Sequence, residues 1–279
     1  MNVKIAKNAG FCFGVKRAMK MAWDELDKSQ DGIYALGPLI HNKQAVSKYE
    51  ERGLKTVDEV KSIPSENSMI IRSHGVAEQI YIDADNKGIN VVDTTCPFVK
   101  KIHSIVKDYK DKGYEIIVIG DMKHPEVIGI NGWCENSAII IKTLEQLKDI
   151  KLDKSKKYCV VAQTTINLDF YLNIVDELSK ELDDVVFNNT ICSATKVRQQ
   201  SAKELSKEVD CMVVIGGRHS SNTQKLVNIC EELVPTFAIE TKDELTKESL
   251  SNYTTIGVTA GASTPDWIIE DVINFIESI

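Results

Sequence analysis

The chain has 279 residues, 43% of them apolar and 27% charged, a globular composition with room for two or three compact lobes. Its 34 basic and 41 acidic side chains leave a formal charge of −7, which argues against nucleic acid as a partner but leaves open a small anion held at helix ends. No apolar run is long enough to cross a bilayer and the N-terminus lacks a secretory apolar region, so a cytoplasmic location without membrane insertion is expected.

In chain order, GFCFGVKR opens a helical pattern that continues through VKRAMKMAWDEL. IYALG reads as a strand that runs into the loop LGPLIHNKQAV, and SMIIRSHG as a second strand. DTTCPFVKK then starts the helix VKKIHSIVKDYKDKG. YEIIVIG leads to IGDMKHPEV, and YCVVAQTT precedes the helix DFYLNIVDELSKEL. TICSATKV begins the helical pattern VRQQSAKELSKEV; CMVVIGG is followed by IGGRHSSNTQKL and the helix NTQKLVNICEEL. TTIGVTAGAS is the last strand, and TPDWIIEDVINFIESI the last helix, with Pro265 in its first turn. Strand–helix alternation at this spacing predicts an α/β fold of parallel sheets covered by helices.

Three sets of segments repeat. GFCFGVKR, TTCPFVKK and TICSATKV each place a cysteine three residues before Val or Thr and four before Lys, at a helix start. LGPLIHNKQAV, IGDMKHPEV and IGGRHSSNTQKL form a second set, and RSHG, AQTT and TAGAS a third. Their order predicts three similar lobes at 13–96, 97–192 and 193–279, the last completed by residues 1–12. Ligands of open α/β sheets collect beyond the carboxyl ends of the strands, so lobes packed around an axis would aim their loops at one central cavity.

Seven cysteines without an export signal or any CxxC pair argue against a disulfide scaffold, a zinc ribbon and the common ferredoxin pattern. Cys12, Cys96 and Cys192 share helix starts, where the thiolate that binds metal is favoured. Three thiolates suit three corners of a four-iron cluster whose fourth iron stays open to substrate. Zinc held by three cysteines and a histidine is the alternative. Cys159 and Cys211 begin apolar strands and Cys230 lies on an apolar helix side, so these read as core; Cys134 lies in a turn-like stretch.

His41, His74 and His124 fall in the repeated loops, where they can donate to phosphate oxygens or move a proton, whereas His103 sits inside a helix and reads as structural. Ser220, Ser221, Asn222 and Ser263 suit both helix capping and phosphate binding, which use the same first-turn N–H groups. Glu126, in HPEV, is either a first-turn acid or, if its loop faces a cluster, the donor of a proton to a leaving hydroxyl. Gln163, Thr164 and Thr165 end a strand and suit orientation of that hydroxyl. No GxxxxGK[ST] or GxGxxG run supports bound ATP or NAD.

The segments NAGFCFGVKRA, HNKQAV, RSHGV, DTTCPFV, HPEV, AQTT, SSNTQKL and TAGASTPDW together resemble the 4-hydroxy-3-methylbut-2-enyl diphosphate reductase family, the LytB-type iron–sulfur reductases, over essentially the whole chain. The resemblance implies one [4Fe-4S] cluster on Cys12, Cys96 and Cys192 with one open iron site. It implies an allylic diphosphate substrate held by His41, His74, His124, Thr164, Ser220, Ser221, Asn222 and Ser263. Glu126, His124 and Thr164 take the catalytic roles, with Glu126 delivering the proton. The implied fold is three α/β lobes with pseudo-threefold symmetry, and the implied electron donor is reduced ferredoxin or flavodoxin. A hydratase or dehydratase would share such a cluster but consume no electrons. Phe13, which some relatives replace by a small residue, is expected to alter local packing or cluster shielding beside Cys12, with no ligand lost. Arg218 and His219 are expected to add positive potential.

Overall fold

The structure is a computed structural model and describes residues 1–28, 32–40 and 42–279. Its first elements are β1 (Asn2–Ile5), α1 (Phe13–Lys28), β2 (Ile33–Leu36), α2 (Lys43–Glu50), β3 (Leu54–Val57), β4 (Ser68–Ile71), α3 (Glu78–Asn86) and β5 (Asn90–Asp93). The middle of the chain forms α4 (Pro97–Asp111), β6 (Glu115–Ile119), α5 (Pro125–Gly132), β7 (Ile139–Ile141), α6 (Leu144–Asp149), β8 (Tyr158–Ala162), α7 (Leu168–Glu181) and β9 (Val185–Phe187). The last part forms α8 (Ser193–Ser206), β10 (Cys211–Ile215), α9 (Ser221–Glu231), β11 (Thr236–Ile239), α10 (Lys247–Leu250), β12 (Thr255–Ala260) and α11 (Asp266–Glu277).

These strands build three parallel four-stranded sheets with one shared order: β3-β2-β4-β5, β7-β6-β8-β9 and β11-β10-β12-β1. The third sheet takes its fourth strand from the N-terminus, Asn2 pairing with Thr255 and Ile5 with Val258. In each sheet the glycine after the second strand of that order donates to the end of the neighbouring edge strand. Gly37 reaches Val57 O at 2.7 Å, and Gly120 and Gly216 reach Ile141 O and Ile239 O at 2.9 Å. The fold is thus α/β, with three similar lobes each containing a parallel sheet.

By contact density the chain divides into two compact units, one of 1–19, 40–52 and 193–279, the other of 20–39 and 53–192. The first unit holds the third sheet, and the second holds the other two. Central strands are apolar on both faces, as helix-covered parallel strands must be. In β6, Ile117 and Ile119 pack with Ile174 and Leu178 of α7, while Ile116 and Val118 pack with Ile102 of α4 and Ile130 of α5. In β10, Val213 and Ile215 pack with Ile269 and Val272 of α11, while Met212 and Val214 pack with Ala202 of α8 and Leu226 of α9.

One local expectation needs correction. Pro265 is the residue before α11, with φ −67° and extended ψ 152°, rather than a member of its first turn. Phe13, beside Cys12, is 66% exposed.

Candidate active site

In the second unit α5 begins directly after a loop, and its first turn carries the predicted carboxylate. Glu126 is 2% exposed and both of its oxygens are engaged by one residue. The Thr164 N–H donates to Oε1 at 2.6 Å and the Thr164 hydroxyl donates to Oε2 at 2.7 Å. Bonds to an ionised acceptor are the short, strong class, and burial raises the cost of losing either. The hydroxyl that donates to Glu126 keeps its lone pairs for a further donor.

His124 is the N-cap of α5, its Nδ1 accepting the Glu126 N–H at 3.2 Å. While Nδ1 accepts that bond, the ring proton sits on Nε2, which makes His124 an outward donor. The His74 ring meets it edge-to-face, with centroids 5.3 Å apart. His74, His124 and Glu126 also offer ligand atoms within 4.8 Å of one another, a set with metal-binding capacity. With Nδ1 accepting, the Nε2–H of His124 can also donate to an anion such as a phosphate oxygen.

The predicted cysteines sit in one repeated backbone arrangement. The N–H of Cys12 donates to Ala262 O at 3.2 Å, that of Cys96 to Ser73 O at 3.0 Å, and that of Cys192 to Thr164 O at 2.9 Å. Each acceptor follows the third strand of its sheet, in TAGAS, RSHG and AQTT. The residue two before each cysteine bonds the residue two before each acceptor. Gly10 N reaches Ala260 O at 3.4 Å, Thr94 N reaches Ile71 O at 3.1 Å, and the Thr190 hydroxyl reaches Ala162 O at 2.6 Å. Within the second unit these bonds link Cys96 to the His74 loop and Cys192 to the Thr164–Glu126 pair.

Each of these three cysteines precedes a helix without an acid in its first turn, and each is half-buried. The other four thiols are buried and unsuited to metal. Burial pushes Cys159 and Cys211 up to about 12, and raises Cys134 and Cys230 as well. A half-buried cysteine at a helix start suits thiolate ligation of a metal, and each of these three has that setting; the buried four do not.

In the first unit Ser220 caps α9, its Oγ accepting the Thr223 N–H at 3.4 Å. Asn222 is 4% exposed, and among the described residues neither its amide nitrogen nor its amide oxygen has a hydrogen-bond partner. A buried primary amide in that state is set up for a ligand. Ser221 is half-buried, whereas Ser263 is buried in the loop after β12, next to Ala262 that receives Cys12. His41 lies outside the described residues. His219 is exposed, and Arg218 is paired with Glu244. Gln163 accepts from the Asp121 N–H and donates to the Thr165 hydroxyl, while Thr164 bonds Glu126.

Two features escaped sequence reasoning. Arg198 is 2% exposed inside α8, and its contact with Gly10 spans 188 positions, so no local pattern marks it. Thr94 and Thr190 stand two residues before their cysteines, a spacing visible in DTTC and NTIC.

The model of the LytB protein family matches residues 3–277. A 4-hydroxy-3-methylbut-2-enyl diphosphate reductase of Clostridioides difficile is 72% identical over 279 residues, covering 100% of both chains. One from Alkaliphilus oremlandii is 51% identical over 283 residues, again covering 100% of both. Among solved structures, the E-1-hydroxy-2-methyl-but-2-enyl-4-diphosphate reductase of Plasmodium falciparum superposes with a TM-score of 0.92 at 29% identity, over 98% of this chain and 87% of that one. An (E)-4-hydroxy-3-methyl-but-2-enyl diphosphate reductase described as the terminal enzyme of the non-mevalonate pathway has a TM-score of 0.75 at 41% identity, over 100% and 99%. Motifs, fold and whole-length identity agree: the chain belongs to the LytB protein family of oxidoreductases.

Proposed function

We propose that this protein reduces (E)-4-hydroxy-3-methylbut-2-enyl diphosphate to isopentenyl and dimethylallyl diphosphates, the last step of the methylerythritol phosphate route to isoprenoids. Two electrons and two protons enter, the C4–O bond breaks, a C–H bond forms and water leaves. The observation that carries the chemistry is the buried Glu126 carboxylate with both oxygens on Thr164.

Cys12, Cys96 and Cys192 hold one [4Fe-4S] cluster with one open iron site, in this reading. Such a cluster supplies single electrons and a Lewis-acidic iron for the substrate oxygen. Reduced ferredoxin or flavodoxin delivers the electrons from outside. The three sheets then correspond to lobes 13–96, 97–192 and 193–279 with 1–12.

The protein's own groups bind, orient and move protons. The Nε2–H of His124 donates to a diphosphate oxygen, with His74 beside it. Ser220, Ser221, Asn222, Ser263 and His41 complete the diphosphate set. Asn222 has both amide atoms available for it. Binding energy at the diphosphate, remote from the reacting carbon, orients the hydroxyl. With Glu126 protonated, its acid O–H donates to Thr164 Oγ1 and the Thr164 O–H turns to donate to the substrate hydroxyl oxygen, so a proton held by Glu126 reaches the leaving hydroxyl through Thr164 Oγ1.

Mössbauer spectroscopy on anaerobically purified, iron-57-labelled protein tests this, with and without the hydroxylated allylic diphosphate. A distinct fourth iron that shifts on adding substrate supports the reading. Four equivalent, unresponsive irons, or zinc without sulfide, overturn it. So does reduced protein that releases neither product.

A further inference from the structure

Arg198 lies on α8, six residues after Cys192, and is 2% exposed. Its Nη2 donates to the Gly10 carbonyl at 2.8 Å and its Nη1 to the Ala194 carbonyl at 3.2 Å. Gly10 stands two residues before Cys12, and Ala194 two after Cys192. Side chains on a helix lean toward its N-terminus, so the cation is carried back toward the helix start.

The Cys12 loop is held from both sides. Gly10 and Cys12 donate to Ala260 O and Ala262 O at 3.4 and 3.2 Å, while Arg198 grips the Gly10 carbonyl. Gly10 has φ +87°, a backbone conformation that glycine adopts without strain, and a Cβ there would stand 2.8 Å from Ile269 Cδ1. Burying a guanidinium is costly, and a neutral amide can satisfy a carbonyl equally well. What the cation adds is a fixed positive charge. Reduction of a thiolate-held cluster adds one negative charge, and a nearby buried cation favours that form.

We propose that Arg198 is an electrostatic positioning residue: its buried charge, set against the Cys12 loop and the start of the Cys192 helix, raises the reduction potential of the cluster. The inference rests on the cluster assignment in the proposed function. The electron added in this couple comes from the external one-electron carrier.

An EPR-monitored redox titration of anaerobic holoenzyme tests it, comparing wild type with Arg198→Gln and Arg198→Lys. Arg198→Lys, which keeps the charge, retains the wild-type midpoint potential. Arg198→Gln, which keeps a donor and loses the charge, shifts to a more negative potential. An unshifted Arg198→Gln overturns the inference, as does an equal shift in both variants, which would mark the fork geometry as the cause. Should Arg198→Gln fail to fold, Arg198→Lys decides alone, because a shifted potential in that variant refutes the charge role. Wild-type protein that binds no cluster refutes the proposed function instead.

Discussion

Glu126 and Thr164 are joined twice: backbone N–H to Oε1 at 2.6 Å and hydroxyl to Oε2 at 2.7 Å. The pair spans 38 residues, joins the first turn of α5 to the loop after β8, and is buried at both ends. Thr164 O also receives the Cys192 N–H at 2.9 Å, so one residue ties a carboxylate to a cysteine.

Glu126→Gln keeps the shape and removes the exchangeable acid. Turnover should fall by about 100-fold or more, the usual scale for loss of general acid catalysis. Iron and sulfide content should be unchanged. Steady-state assays beside cluster quantitation check this; normal turnover at full occupancy removes Glu126 from proton delivery.

Thr164→Val removes the hydroxyl but leaves the backbone N–H on Oε1. Folding stability should drop by about 1–3 kcal/mol, because a buried carboxylate oxygen loses its partner. The maximal rate should fall more than the affinity for substrate. Thr164→Ser, which retains the hydroxyl, should recover most of both, as denaturant melts and kinetic analysis would show.

Asn222→Ala makes the opposite stability prediction. Among the described residues the Asn222 amide has no hydrogen-bond partner, so its removal forfeits no bond to them. The melting temperature without ligand should stay near wild type, while affinity for inorganic diphosphate drops by about tenfold, equivalent to ~1.4 kcal/mol. Calorimetry with diphosphate on the variant checks both halves. Loss of stability together with unchanged binding would contradict the ligand role.

His103 gives the chain an acid-sensitive point. It is 3% exposed, stacked on Trp133 with centroids 5.2 Å apart, and burial pushes it down to about 4 from 6.5; Asp93 acts in the raising direction and Lys100 in the lowering one. Between those values the unfolded chain binds more protons than the folded one, so stability falls as pH falls through this window and is level above it. The contribution at full effect is roughly 3 kcal/mol. Denaturant unfolding at pH 7 and pH 4.5 should show a smaller acid loss in His103→Asn than in wild type.

Cys96→Ser should lose most cluster iron, whereas Cys159→Ala should keep it. Cys159 is wholly buried, with its thiol pushed up to about 12 by burial, and it serves β8 as core. Iron and sulfide assays after anaerobic reconstitution separate the two; full four-iron occupancy in Cys96→Ser takes that residue out of the ligand set.

The six strands read from the sequence are central strands of the three sheets, where continuous apolar runs announce burial on both faces. The outer strands LKTV, NVVD, III, VVF, TFAI and NVKI went unread. Each has only three or four residues, and most of their positions are partly exposed. Period-two alternation cannot be established over so few positions. His103 was legible as a structural helix residue, but its ring also closes against Gly75, where φ is +72° and a Cβ would stand 2.5 Å from His103 Cε1. That contact sets the turn beside His74 and depends on α4 packing.

Sequence alone determined the features governed by chain neighbours: the apolar central strands, the helix starts, the repeated spacing after Cys12, Cys96 and Cys192, and the motifs of the LytB family. Local sterics, capping and periodicity act over a few residues, so a linear reading reaches them. Only the tertiary structure decided that Glu126 is buried with both oxygens on Thr164, that Asn222 keeps two orphaned polar atoms, and that Arg198 grips Gly10 from 188 positions away. Burial and hydrogen-bond partnership are properties of packed surfaces. Residues far apart along the chain acquire them when β-sheets and helices close over one another, and the chemistry of a carboxylate, an amide or a guanidinium follows from what it then faces.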